Sequence, residues 1–549
     1  MPKIVRIAWL LFLGLLLGFP LCVLFRENLS WHSLGLVRQG IDSFDGPLAN
    51  TFSLIALVIL LTVPTGTVYA LLVCHPGVRG RRGLGACVVA GLFVPLPVWA
   101  VSWQIVFGDW LPPPTLEPGQ VAWRPWKLGL LPAAWIHAVA AWPWVVAIIW
   151  IVLRTGDRSL EDEARQTGGW WGLFRWVVAP RLAWAVLLAA TVVGMQAGTE
   201  IAVTDAMMVR TVAEEVYTQM VVRGAGLEGA IAATVPVWLG KAVGLAYFAR
   251  LALRRFRTSS WDSSLAPKLR ARGSPTATAA AWAVVSLHLG IAIVALGWKA
   301  AGGGVRPEPS FAEFGHRLDK ALRTEWLVLI DSLAAALAAG AFTASLAWVT
   351  CGLAFGSARY RATILLFNLL LLALPGPLAG FAVKQATVAL AVTEQSLLRT
   401  MDLHPEFPPL RSLLYDQPTP VPGIWVCALR FFPLACGMMA VALQRIPRSQ
   451  LENAAVEGRS GVDVWRWVLA PHTARPFLLA ALAVAALAFG EVSASKLAQP
   501  PSRGVFVLRL FDQMHYGAES TVAALCLLQM AATGLILVGL IGLRTERTA

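Results

Sequence analysis

Apolar runs of about 20 residues recur along this chain, and they leave few folds open to it. At a rise of 1.5 Å per residue, a helix of that length crosses the hydrocarbon core of a bilayer. Inside lipid, backbone N–H and C=O groups find no water, so a crossing helix satisfies its own. The runs predict helices at 4–25, 51–74, 84–107, 132–153, 182–204 and 230–252. A second set follows at 277–298, 327–352, 363–388, 424–444, 474–495 and 522–543. A length of 549 residues alone would suggest several soluble domains, but 57% hydrophobic against 14% charged residues overrules that. The expected class is an all-α polytopic membrane protein with twelve transmembrane helices.

Charge orients these helices. Lys and Arg collect in cytoplasmic loops, so a net charge of +14 bears on topology before nucleic acid. The first run follows Lys3, is long for a signal peptide and has no A-x-A-like cleavage site after it, so it reads as an anchor. With the N-terminus inside, the inner connections hold Arg79, Arg81 and Arg82, then Arg154, Arg158 and Arg165, then Arg254, Arg255 and Arg257. Most outer connections are longer yet less basic; 299–323 is the exception. Both termini are therefore expected in the cytoplasm, with the chain in the inner membrane. The seven cysteines lie in or beside apolar runs and form no CxxC, which indicates neither a disulfide framework nor a zinc site.

One polar island occurs twice. Leu160–Pro180 superposes on Leu451–Pro471 at an offset of 291, matching Glu161 with Glu452, Ala164 with Ala455, Arg175-Trp176-Val177 with Arg466-Trp467-Val468, and Pro180 with Pro471. A matched island in each half of an apolar chain indicates duplication. Two six-helix halves follow, 1–253 and 276–549, joined by a basic, Ser-rich linker at 254–275. An even helix count inserts both halves the same way up, as parallel repeats. Each island sits between the fourth and fifth helices of its half. Ser159 and Ser449 open S-x-x-[DE] helix starts, Gly458 allows a turn, and Val462–Leu469 predicts a second short helix. Pro471 suits the first turn of the next span.

Glu452-Asn453-Ala454-Ala455-Val456-Glu457-Gly458, with Pro471 thirteen residues beyond the glycine, resembles the EAA loop of ABC importer permeases. The first copy departs from that form: Glu161-Asp162-Glu163-Ala164 replaces the alanine run, and Gly168 lies one residue nearer its proline, with Thr167 opposite Gly458. As architecture the resemblance covers nearly the whole chain. It is greatest to the fused double permeases of ferric-iron importers, with thiamine and related small-solute importers next.

The resemblance implies a transport subunit, not an enzyme. Glu161, Ala164, Gly168 and Pro180, with Glu452, Ala454, Ala455, Gly458 and Pro471, would couple to two copies of a cytoplasmic ATPase. An extracytoplasmic solute-binding protein would deliver the cargo, ferric iron first, thiamine or another small solute as the alternative. The chain has no G-x-x-x-x-G-K-[ST], so ATP and Mg²⁺ belong to the partner ATPase and no cofactor is expected here. Beyond the bilayer and these subunits, no nucleic-acid partner is expected. The two acids can instead simply cap their helices. A secondary transporter with six plus six parallel helices is the rival from another class. A membrane-embedded enzyme ranks third, because the outer loops offer no convincing nucleophile and base.

A second matched pair follows the islands. Gly198-Thr199-Glu200 and Gly490-Glu491 obey the same offset and place one acid in each half at membrane depth. Such acids are costly and suggest a translocation pathway; satisfying backbone groups at a helix break is the alternative. Asp331, Lys384 and Arg430 also interrupt apolar runs, for which helix packing is the expected role. Val216-Tyr217-Thr218-Gln219-Met220 is similar to Leu510-Phe511-Asp512-Gln513-Met514, both in the connection after the fifth helix, where the family can face its solute-binding protein. His404 and Glu406, in the segment Thr393–Gly423, form only a weak metal-ligand pair. Trp99, Trp103, Trp110, Trp123 and Trp126 read as an interfacial belt.

Overall fold

A computed structural model of the chain describes residues 3–28, 31–75, 77–111, 125–154, 158–222, 227–256, 273–304, 309–354, 357–403, 408–459, 461–500, 503–515 and 519–545. Helix dominates these residues and no strand occurs among them. Nine of the described helices are long and apolar enough to cross a membrane, and eleven spans result when each of two bent pairs counts as one. The all-helical, multi-pass class expected from the apolar runs is the class observed. The linker residues 257–272, His404, Glu406 and Trp123 lie outside the described residues.

The bent pairs replace two expected straight helices. Run 84–107 becomes Arg81–Leu92 and Leu96–Trp110, meeting at 94°, and run 363–388 becomes Ala358–Ala373 and Gly376–Thr400, at 104°. Pro95 and Pro375 sit at the corners with extended ψ of 145° and 142°. Proline has no N–H to continue a helix and instead begins the next one. The fifth expected span is also redrawn. It runs on from the first island as Leu160–Ala197 and stops at Gly198, while its counterpart Val462–Phe489 stops at Gly490. The expected run 230–252 falls within the helix Leu227–Phe256.

The elements come twice in one order. Each series has an apolar helix, a 44-residue helix (Trp31–Cys74; Phe311–Ala354) and a bent pair. A helix with an interior proline follows (Leu130–Arg154; Val421–Gln444), then an island and its span. A four- or five-residue helix, a short helix and a long last helix complete the series.

The first helix of each series packs on the other series. Leu13, Leu17 and Leu24 are buried in one cluster with Ala347, Ala382 and Phe432. Trp9 Nε1 donates to Thr350 Oγ1 at 2.9 Å, and Trp425 Nε1 donates to the Leu16 carbonyl at 2.6 Å. Reciprocally, Ala281, Val285 and Ala292 join the cluster of Leu84, Val88 and Trp99. Tyr69 donates to the Ala281 carbonyl at 2.9 Å, and Lys299 pairs with Asp109 at 2.7 Å. Small residues let backbones approach, as they do between helices in lipid. A Cβ on Gly340 would stand 2.2 Å from the Ala481 carbonyl oxygen. Trp99 corrects the belt expectation: it is 1% exposed, its ring 5.0 Å from the His288 imidazole.

Candidate functional site

The two helix breaks position the paired acids. Each span stops at its glycine, and a short helix begins just beyond, Ala202–Ala206 or Ser495–Ala498. The carboxylates satisfy N–H groups at those starts, which have no partner inside the helix. Glu200 Oε1 accepts from Ile201 N at 3.2 Å, Ala202 N at 3.1 Å and Ser493 Oγ at 2.5 Å. Glu491 Oε1 accepts from Ala494 N at 2.8 Å. Both acids are buried. Their other oxygens face one guanidinium: Arg430 Nε is 2.9 Å from Glu491 Oε2, and Arg430 Nη2 is 3.6 Å from Glu200 Oε2.

These three side chains border a cavity of about 1260 Å³ lined by both series of helices. Its wall includes the first corner (Phe93, Val94, Pro95) and, near the second corner, Leu371, Leu372 and Leu374. At one end lie Arg445, Pro471, His472 and Arg475, beside the second island. At the other lie Thr199, Glu200, Gly490 and Glu491. Just after the acids in the chain, Ala202 and Val492 join Val507, Leu508 and Phe511 in a small buried cluster. His137 also lines the cavity, buried, with no hydrogen-bond partner for its Nε2 among the described residues.

The islands are helical but unequal. The second has a helix Arg448–Val456, then Gly458 with φ of +70°, as its sequence requires. Pro447 precedes that helix, so Ser449 lies inside it and does not cap it. The second short helix is a single turn, Val462–Val464, that runs through a π turn, Trp465–Leu469, into the span. In the first island the helix begins at Arg158, so Ser159 is interior too, and the left-handed turn falls at Gly169 (φ +59°) rather than Gly168. The shared Arg-Trp-Val occupies a π turn in both copies. Pro180 and Pro471 stand in the first turn of the following helices, as expected.

The residues expected to couple differ in their surroundings. Glu452 and Ala455 are exposed while Ala454 is buried against its own chain. Glu161 is half-buried and held by Arg181, Nη1 to Oε1 at 2.8 Å. Ala164 is partly buried and Gly168 exposed. Arg181 corresponds to His472 under the repeat, so only the first copy carries this clamp.

Past the breaks, the two similar pentapeptides lie on short helices, Val212–Val222 and Phe506–His515. Lys496 Nζ stands 5.8 Å from the Tyr217 ring and 4.4 Å from the Phe511 ring, and pairs with Asp512 at 2.8 Å. His515 Nε2 lies 3.2 Å from Asp205 Oδ2. That hydrogen bond holds the His515 imidazole above its ordinary range.

Compared with protein-family models, with curated proteins and with solved structures, the chain matches none. Sequence reasoning named both acids but gave Arg430 only a packing role. The signal was a lone arginine in an apolar run, Val421–Gln444, where an unpaired cation is costly. Ser493, His137 and Gly376 carried no such signal. Asp331 finds its partner in Arg503 at 2.6 Å.

Proposed function

We propose that the chain is the permease subunit of an ATP-driven importer of the ABC type, two six-helix halves fused in one polypeptide in the inner membrane. Its solute pathway is the cavity between the two series. ATP hydrolysis takes place on two copies of a separate cytoplasmic subunit seated against Leu160–Pro180 and Leu451–Pro471. An extracytoplasmic solute-binding protein loads the opposite side, at the short helices that carry Tyr217 and Phe511.

One observation supports the reading: the spans that continue from the two matched islands end at a matched pair of carboxylates that line one cavity with Arg430. A motor that draws the islands together would tilt the spans Leu160–Ala197 and Val462–Phe489, whose far ends carry those carboxylates. Glu200 and Glu491 border the pathway and cap the short helices in the same geometry, so the two roles expected of them are compatible. The cargo is positively charged; ferric iron and an organic cation such as thiamine are the two forms the resemblance implies.

The test is purification of the full chain from its native membranes. A P-loop ATPase should co-purify at two copies per chain, and Glu452→Arg with Gly458→Arg should abolish that association while leaving the chain folded. A chain that carries its solute at full rate without any such ATPase, driven by an ion gradient, would instead be a secondary transporter.

A further inference from the structure

We propose that Arg430 is a charge filter: it restricts the end of the cavity to a solute group carrying one positive charge, a protonated amine or guanidinium, and excludes multivalent metal ions. The inference rests on reading the cavity as a solute pathway.

Charge counting comes first. Two buried carboxylates face one guanidinium, so if all three are charged, one negative charge is left over. An uncompensated charge at membrane depth is unfavourable, and a single incoming positive charge neutralises it. A trivalent ion is drawn to the carboxylates and repelled by Arg430 three times as strongly alike; what separates it from a monovalent group is the balance left behind, two uncompensated positive charges instead of none, besides its greater dehydration cost.

Ligand supply agrees. Hard cations demand six or more oxygen ligands. Here Glu200 Oε1 and Glu491 Oε1 already accept from backbone N–H groups, and their Oε2 atoms face Arg430. No group of three His, Cys, Asp or Glu that could hold a metal occurs among the described residues.

His137 adds a polar group to the same wall. It is 3% exposed, lines the same cavity, and leaves Nε2 without a partner among the described residues. Buried polar atoms of this kind are otherwise nearly always satisfied. A solute with N–H donors supplies both what the carboxylates lack and what this ring nitrogen can accept. The apolar wall, with Phe93, Trp144, Phe431 and Leu434, fits an organic body around that head group.

Arg430 is also built into place. A Cβ on Gly376 would fall 2.1 Å from Arg430 Nη1, so the corner glycine leaves the guanidinium its room.

Terbium(III), a trivalent ion, is the probe, with luminescence sensitised by tryptophan on the purified full chain in nanodiscs; Trp144 on the cavity wall is a near donor. Wild type should show no saturable signal that depends on Glu200 and Glu491. R430A should gain one, at least ten-fold above wild type, and R430Q should do the same should R430A not fold. R430K, which keeps the charge, should not gain it, and R430A combined with E200Q and E491Q should lose it. Methylguanidinium should displace terbium from R430A, whereas neutral methylurea should not. Equal terbium binding by wild type and R430A, a gain in R430K, or displacement by both or neither of the small molecules would overturn the proposal. No nucleotide or ATPase enters this measurement, so a missing ATPase defeats the importer reading and leaves this result standing.

Discussion

Gly376 and Arg430 illustrate how one missing side chain admits another. The Cβ of an alanine at 376 would also meet Ser493 Cβ at 2.7 Å, so Ser493 can yield only by disturbing its hydrogen bond to Glu200, and Arg430 only by disturbing its pairs with Glu200 and Glu491. Gly376→Ala should therefore destabilise the protein by about 1–3 kcal/mol, the usual cost of overpacking, seen as a lower melting temperature in detergent. His515 makes a pH-dependent contact at the same scale. Its imidazole is held above the ordinary value by the hydrogen bond to Asp205. A group raised in the folded state stabilises it fully below the unfolded pKa, about 6.5, and loses that contribution as pH rises through the raised value. The melting temperature should fall across that interval in wild type by more than in His515→Gln. Equal slopes would remove the pair from the account.

At the scale of elements, the two islands share a plan but not a surface. Arg181 occupies Glu161, whereas Glu452 has no ion-pair partner among the described residues. A docking partner that reads a carboxylate finds one free in the second island and one engaged in the first. Glu452→Arg should weaken ATPase co-purification several-fold more than Glu161→Arg, and Arg181→Ala should narrow that difference by releasing Glu161. Gly458 holds φ of +70°, a conformation that a Cβ disfavours by about 1–2 kcal/mol. Gly458→Val should therefore reduce docking without any change in charge, measured by the same co-purification.

Across the whole molecule, each series is tied to the other by its first helix. Lys3–Arg26 supplies Leu13, Leu17 and Leu24 to a cluster built mainly from residues beyond 336, and Pro275–Ala300 packs on Arg81–Leu92 and Leu96–Trp110. Cutting the chain within 257–272 and expressing both pieces together should therefore give a complex that co-purifies in detergent. Removing residues 3–28 should abolish assembly, because Thr350 and Trp425 lose their partners and the cluster loses three buried leucines. Recovery of the truncated chain as a stable monodisperse protein would contradict the exchange.

The helical, multi-pass class, the repeated islands and the matched acids can be read from the residues alone. These are legible because bilayer thickness sets run length, and because a polar residue in an apolar run has to be accounted for. Gly458 and the prolines that end the islands were readable for local reasons, since glycine admits positive φ and proline fixes φ without help from tertiary contacts. Tertiary structure decided the rest. The corners at Pro95 and Pro375 lie inside runs whose composition is uniform, so hydropathy passes over them. The turn in the first island, left open by its departure from the motif, falls at Gly169, a choice between adjacent residues with equal backbone freedom. The meeting of Glu200, Arg430 and Glu491 joins three segments up to 291 residues apart, and the crossing of the first helices joins elements more distant still. No periodicity encodes such contacts, because they depend on which helix faces pack together after every helix has satisfied its own backbone.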